Sequence, residues 1–141
     1  MTTDHHAETD VAPARDRIAR YLMIALGISS LAVFVGTAMQ FHIYGPDRIN
    51  VEAWRMFGFS VFAGLYFVIA FYPRRVPGLW ELVFYHKAGV AIFLGFFVGA
   101  TTSTTVSDTT STVIVVDLLL AGTTAVAYVL AKGWRAWART V

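Results

Sequence analysis

Four long apolar runs, separated by short polar connections, constrain the fold of this chain more than any other feature. They cover about residues 21–41, 53–72, 79–100 and 112–132. Each run is close to the roughly 20 residues that an α-helix needs to cross a hydrocarbon core of about 30 Å. The sequence therefore predicts an all-α fold, an integral membrane bundle of four helices that lies in a lipid bilayer.

Composition and periodicity argue against the other classes of protein. The chain is 57% hydrophobic and 14% charged, whereas soluble domains are typically about 45–50% apolar and about 25% charged. Transmembrane barrel strands would alternate polar and apolar residues over about 10 positions, and the four runs show no such alternation. The net charge of +2 is too small to indicate a nucleic-acid partner.

The connections between the runs are short and contain helix-breaking residues. The first contains Gly45-Pro46-Asp47, the second contains Pro73 and Pro77-Gly78, and the third, 101–111, consists mainly of Thr and Ser. Short connections make neighbouring helices antiparallel. We therefore expect an up-down-up-down bundle.

Basic residues are concentrated at one end of the predicted bundle. Eight flank the termini and the second connection, and only two lie near the other end. The eight are Arg15, Arg17, Arg20, Arg74, Arg75, Lys132, Arg135 and Arg139, and the two are Arg48 and Arg55. The positive-inside rule then places both termini in the cytoplasm. We expect a multi-pass protein of a bacterial inner (plasma) membrane, with 1–20 a disordered polar tail and 133–141 a short basic tail.

Small residues recur every four positions in the third run, at Ala91, Gly95 and Gly99. Small side chains let transmembrane helices approach closely. The favoured interpretation is packing inside one bundle, and the alternative is a homodimer that meets along this face.

Ionisable residues inside the apolar runs are the candidate site, because charges at membrane depth usually pair or mark a function. They form two predicted layers, one with His42, Glu52, Arg55 and Asp117, the other with Glu81, His86 and Lys87.

In the first of these layers, Glu52 and Arg55 are an i, i+3 pair on one helical face. Asp117 interrupts an apolar run roughly 7–8 Å below the predicted boundary, and we expect Arg55 to pair with it. A proton-binding or ligand-binding role, or a water-filled dimer cavity, is the alternative for Asp117.

In the second layer, Glu81 is expected to pair with Arg74 or Arg75, and Lys87 to extend only partly toward the interface. His86 is either a packing residue or a group that titrates or hydrogen-bonds a ligand.

Metal and cofactor chemistry finds little support in the sequence. The chain has no cysteine, which excludes disulfides, thiolate metal sites and covalent c-type haem. Bis-histidine haem needs two histidines at similar depth, whereas His42 and His86 are predicted near opposite faces. We expect no metal and no cofactor.

The order of several residues resembles the small four-helix membrane proteins grouped as DoxX-like. The second run opens with Glu52-Ala-Trp-Arg55-Met-Phe-Gly58, a basic turn follows, the third run carries Glu81 and His86-Lys87, and the fourth carries Asp117. The resemblance implies that Arg55, Glu81, His86 and Asp117 face the bundle interior. Some members of that group are associated with quinone-linked redox chemistry.

Three functions remain open at this stage. The first is non-enzymatic binding of an apolar small molecule, a lipid or a protein partner within or beside the bundle. The second is a membrane enzyme or redox accessory for a hydrophobic, quinone-like substrate, with Asp117, Arg55 and His86 as its polar participants. The third is a proton-coupled carrier, ranked last because an apolar gap of about 10 Å separates the predicted polar layers.

The predicted orientation can be tested by cysteine labelling, because the chain has no native cysteine. Cysteines introduced at Thr104 and Asp108 should react with a membrane-impermeant reagent in intact cells, and one introduced at Thr9 should react only after lysis. The reverse pattern would overturn the orientation.

Overall fold

The computed structural model describes residues 12–100 and 108–139, and these are almost entirely helical. The four long helices are α1 (Pro13–Met39), α2 (Ile49–Phe71), α3 (Leu79–Ala100) and α4 (Asp108–Ala131). Short 3-10 helices span Phe41–Ile43 and Gly133–Arg139. By length and composition all four long helices can cross a membrane. The predicted all-α bundle is confirmed.

The helices pack in two close pairs. α1 packs most extensively against α2, and α3 against α4; α1 also packs against α4, while α2 and α3 meet at few positions. The start of α1, the α2–α3 connection and the end of α4 lie together, because Arg74 binds both Asp16 and the carbonyl oxygen of Ala131. We call this the termini end of the bundle. The up-down-up-down arrangement is therefore confirmed.

The buried core lies toward the termini end. It is a single cluster with members from all four helices, namely Ala19, Met23, Tyr66, Ile69, Ala70, Trp80, Val83, Ala127 and Ala131. Large apolar side chains also cover the outside of the bundle: Trp54 is 83% exposed and Phe96 is 76% exposed. An apolar exterior of this extent is what a bilayer, rather than water, covers.

Three helices begin earlier than hydropathy indicates. α1 begins at Pro13 rather than near residue 21, α2 at Ile49 rather than near residue 53, and α4 at Asp108 rather than near residue 112. The added segments contain polar residues, so a hydropathy window omits them. Proline is nevertheless well suited to the first helical position, and an acidic residue is favourable in the first turn. The helical part of the predicted N-terminal tail thus starts at Pro13, while residues 1–11 lie outside the described residues.

Most of the predicted C-terminal tail is folded. Lys132 has a φ of 49°, the left-handed conformation that commonly ends a helix. The 3-10 helix Gly133–Arg139 follows, and Ala136 within it is 2% exposed. This segment therefore packs against the termini end of the bundle instead of extending from it. Residues 140–141 and the loop residues 101–107 lie outside the described residues.

The small-residue face of α3 does not pack inside the bundle along its whole length. Ala91 is buried, but a Cβ added at Gly95 would meet no atom within 4 Å. The interpretation of in-bundle packing is therefore wrong at Gly95, which faces outward; the surroundings of Gly99 lie outside the described side chains. Close helix approach occurs instead at Gly27 of α1, where an added Cβ would lie 2.9 Å from the Phe67 ring of α2.

This difference between two helical glycines generates a packing prediction. Gly27→Leu should destabilise the bundle by about 1–3 kcal/mol, because the side chain overpacks the α1–α2 contact. Gly95→Leu is the matched control, because it makes the same gain in helix propensity. Its side chain would contact no neighbouring residue, so this variant should not destabilise the monomer. Thermal unfolding of both variants in detergent is the measurement. Equal stability of the two variants would contradict the assignment of Gly27 to the close contact.

Candidate functional site

A lysine and an aspartate well inside the apolar spans form a buried ion pair between α3 and α4. Lys87 Nζ donates to Asp117 Oδ1 over 3.0 Å. The two residues are 6% and 7% exposed. Each charge therefore has a partner in a region where neither water nor lipid headgroups can solvate it.

The predicted pairing of Arg55 with Asp117 is wrong. Because α4 begins at Asp108, Asp117 lies about nine residues into the helix, roughly 13 Å along its axis, and not 7–8 Å. At that depth the long stem of Lys87 reaches it from the adjacent helix. Arg55 has a 42% exposed side chain and pairs with Glu52 Oε2 at 2.5 Å. The two predicted polar layers are thus joined through Lys87.

Phe62 of α2 covers the lysine side of the pair. Lys87 Nζ lies 4.3 Å from the Phe62 ring centroid, a cation–π contact. The His86 ring packs on the same phenylalanine, with 4.6 Å between centroids. His86 is otherwise exposed, beside an open groove of about 380 Å³ on α3. The expectation that His86 faces the interior is therefore wrong, and its packing interpretation is the one the contacts support.

Two further polar residues lie in the centre of the bundle. Tyr66 of α2 and Thr124 of α4 are both fully buried and are neighbours. Thr124 Oγ1 donates to the Leu120 carbonyl oxygen of its own helix at 2.7 Å. The Tyr66 hydroxyl forms no hydrogen bond of ordinary geometry with any described residue.

A second charged group lies at the end of the bundle opposite the termini. Glu52 is buried, and its two carboxylate oxygens pair with Arg48 at 2.7 Å and with Arg55 at 2.5 Å. Arg55 also donates to the Tyr44 hydroxyl at 3.4 Å. The predicted Glu52–Arg55 pair is confirmed, while Arg55 itself is exposed rather than interior. His42 is exposed in the short helix after α1 and does not join this group.

Glu81 has neutral partners rather than the predicted arginines. Glu81 Oε1 accepts hydrogen bonds from the Tyr128 hydroxyl at 2.8 Å and from Trp137 Nε1 at 3.2 Å. Arg74 instead forms a two-point pair with Asp16, at 2.6 and 3.2 Å. The expected pairing of Glu81 with Arg74 or Arg75 is therefore wrong, because the helical extension of α1 places Asp16 beside Arg74.

An apolar cleft opens between α3 and α4 next to Glu81. Its volume is about 190 Å³, and it is lined by Trp80, Glu81, Phe84, Thr124, Ala125 and Tyr128. The cleft lies on the same helix–helix interface as the Lys87–Asp117 pair, nearer the termini end. Of the residues that line the cleft, Glu81 is the one predicted from the sequence as a candidate site residue.

The spacing of polar residues in the sequence could have indicated some of the cleft residues that were not predicted. Asp117, Thr124 and Tyr128 are spaced i, i+7 and i+11, which places them on one face of α4. Lys87 and Asp117 are also the deepest charges of consecutive antiparallel helices. By contrast, the Trp137–Glu81 hydrogen bond depends on the fold of the C-terminal segment, for which hydropathy gives no signal.

The ion pair predicts a strongly non-additive double-mutant cycle. Lys87→Met or Asp117→Leu alone should lower the free energy of unfolding by about 3–5 kcal/mol, because the remaining charge is buried and unpaired. The double variant should recover most of that loss, since both charges are gone. Unfolding in detergent measures all four corners of the cycle. Arg55→Met should be nearly additive with Asp117→Leu, and strong coupling between those two would restore the pairing that the structure rejects.

Comparison of the chain with known proteins finds no match to a family, to a curated protein or to a solved structure. The likeness to DoxX-like proteins accordingly stays a prediction from single residues. What the candidate site does must be argued from its own contacts, burial and charges.

Proposed function

We propose that this small membrane protein binds an apolar molecule, or the chain of a lipid, in the cleft between α3 and α4. The observation that carries the proposal is an open space of about 190 Å³ at a helix–helix interface with mainly apolar walls. Ligand sites commonly form between the helices of bundles, with apolar walls and few polar groups. The volume is below the roughly 300 Å³ at which small-molecule pockets begin, so the cleft suits part of a chain or a small ring.

The walls of the cleft favour an apolar occupant. Trp80, Phe84 and Tyr128 supply aromatic surface, and Trp80 Nε1 is already bonded to the Pro73 carbonyl oxygen at 2.7 Å. Thr124 lines the cleft too, but its hydroxyl proton is directed to the Leu120 carbonyl oxygen. Neither polar hydrogen is therefore free to bind a polar group in the middle of the cleft.

A proton-coupled carrier is the second candidate, and the Lys87–Asp117 contact is the observation that favours it. The carrier was ranked last because an apolar gap separates the two predicted polar layers. The Lys87 side chain bridges that gap. The enzyme hypothesis gains less support, because its participants are separated: Asp117 is buried with Lys87, Arg55 pairs with Glu52, and His86 is exposed on α3.

For the cellular setting we propose the inner membrane of a bacterium, with the termini end in the cytoplasm. The eight basic residues near that end support this orientation. We also propose that Gly95, which faces outward, contributes to a homodimer seam along α3, whereas Ala91 packs inside the bundle. The outward position of Gly95 supports contact with something other than the bundle itself. Membership of a DoxX-like group remains part of this proposal.

Filling the cleft tests the proposed function. Ala125→Phe should place a ring in the space between α3 and α4, and the purified variant should lose co-purifying apolar molecules by at least about tenfold, the loss expected from about 1.4 kcal/mol. Mass spectrometry of solvent extracts measures the bound material. Val126→Phe is the matched control, because Val126 is adjacent in sequence, exposed to lipid and not part of the cleft. Identical extracts from the wild type and Ala125→Phe would overturn the proposal.

A further inference from the structure

The open groove on α3 is separate from the cleft between α3 and α4. Its volume is about 380 Å³, and its lining residues, all from α3, are Tyr85, His86, Gly89, Val90, Phe93 and Leu94. Phe93 is nine residues from Phe84 of the cleft, which at about 100° per residue places the two on opposite sides of the helix. The groove instead lies beside the contact of His86 with Phe62 of α2, where α2 and α3 meet at few positions.

Polar and apolar residues are separated along this groove. Tyr85 and His86 lie at the end nearer the termini, and Phe93 and Leu94 lie about 10–12 Å further along the helix axis. A membrane amphiphile has the same order, because its polar head lies nearer the membrane surface than its apolar chain. The floor of the groove is open at Gly89, since an added Cβ there would meet no atom within 4 Å. The volume lies within the range of roughly 300–1,000 Å³ that is usual for small-molecule sites.

His86 places a polar ring on a surface that faces hydrocarbon. It is seven residues after Leu79, where α3 begins, and so lies roughly 10 Å into the span. The imidazole packs on the Phe62 ring, with 4.6 Å between centroids, and the residue is otherwise exposed. A polar group that faces hydrocarbon without a hydrogen bond is unfavourable. A ligand that forms a hydrogen bond with the imidazole would remove that cost.

We propose that the groove binds a neutral membrane amphiphile whose carbonyl group accepts hydrogen bonds from the His86 imidazole N–H and the Tyr85 hydroxyl. Each of these side chains has one donor, and a carbonyl oxygen has two lone pairs to accept them. The apolar chain of the ligand lies along Val90, Phe93 and Leu94. A charged head is disfavoured, because charges are costly at this depth. This is a second site, and it does not rest on occupation of the cleft.

Gly89→Leu tests the site, because its side chain should fill the groove without a clash. Gly95→Leu is the matched control on the same helix, since its added Cβ also meets no atom within 4 Å and Gly95 does not line the groove. Both changes are made in the full-length Ala125→Phe chain, in which the cleft is filled, so that the retained probe reports the groove. Native mass spectrometry of the detergent-solubilised chain counts bound methyl tetradecyl ketone. Gly89→Leu should retain at least about tenfold less of it than Gly95→Leu, a difference of about 1.4 kcal/mol.

His86→Phe tests the head, because phenylalanine keeps a ring to pack on Phe62 and has no N–H. Two further probes are hexadecane, which has no acceptor, and hexadecanoate, which is charged. The parent Ala125→Phe chain should retain the ketone about fivefold better than hexadecane, as expected for a hydrogen bond, and should retain hexadecanoate least. In His86→Phe the preference for the ketone should fall several-fold while hexadecane is retained as before. An unchanged ketone-to-hexadecane ratio in His86→Phe, or strongest retention of hexadecanoate by the parent chain, would overturn the assignment of the head.

The same spectra decide whether the groove has another occupant. Equal retention of the ketone by Gly89→Leu and Gly95→Leu, with unfolding temperatures that show both variants to be folded, would overturn the groove as a binding site. Loss of a dimer in Gly89→Leu with ketone retention unchanged would assign the groove to a second copy of the chain, and would also overturn the proposal. Neither result bears on the proposed function, which is decided by the molecules that co-purify with the wild type and with Ala125→Phe.

Discussion

The ion pair between Lys87 and Asp117 determines how α3 and α4 can meet. Neither charge has another ionic partner among the described residues, and both are nearly fully buried. Any rotation of one helix that separated the pair would leave two unpaired charges at membrane depth, which is strongly unfavourable. The cleft lies on this same interface, so its shape depends on the angle and register that the ion pair sets.

Polar contacts at the termini end supplement the apolar packing between the helices. α2 and α3 meet at few positions, so packing alone holds the two helix pairs together weakly on that side. Arg74, in the connection between them, binds Asp16 of α1 and the Ala131 carbonyl oxygen of α4. Glu81 joins α3 to α4 and to the C-terminal 3-10 helix through Tyr128 and Trp137. These hydrogen bonds attach the α2–α3 connection to α1 and α4, and the C-terminal 3-10 helix to α3.

The sequence predicts the helices well and their polar partners poorly, for one physical reason. Hydropathy reports which residues lie in hydrocarbon, so the four spans and their antiparallel order follow from it. It does not report polar turns that extend a helix, such as those that begin at Pro13 and Asp108. An error of four residues moves a side chain by about 6 Å, which is enough to replace Arg55 by Lys87 as the partner of Asp117. Partner assignment needs the depth and rotation of each helix, and these come from packing.

The two carboxylates on the α3–α4 interface differ in what they can do because their partners differ. The charge of Asp117 is matched by an ammonium group with which it is buried, so a ligand that approached it would have to displace Lys87 and leave that charge unpaired. Glu81 accepts hydrogen bonds from two neutral donors, Tyr128 of α4 and Trp137 of the C-terminal 3-10 helix. The deeper acid therefore fixes the register of α3 against α4, and the shallower acid attaches the C-terminal segment to both helices.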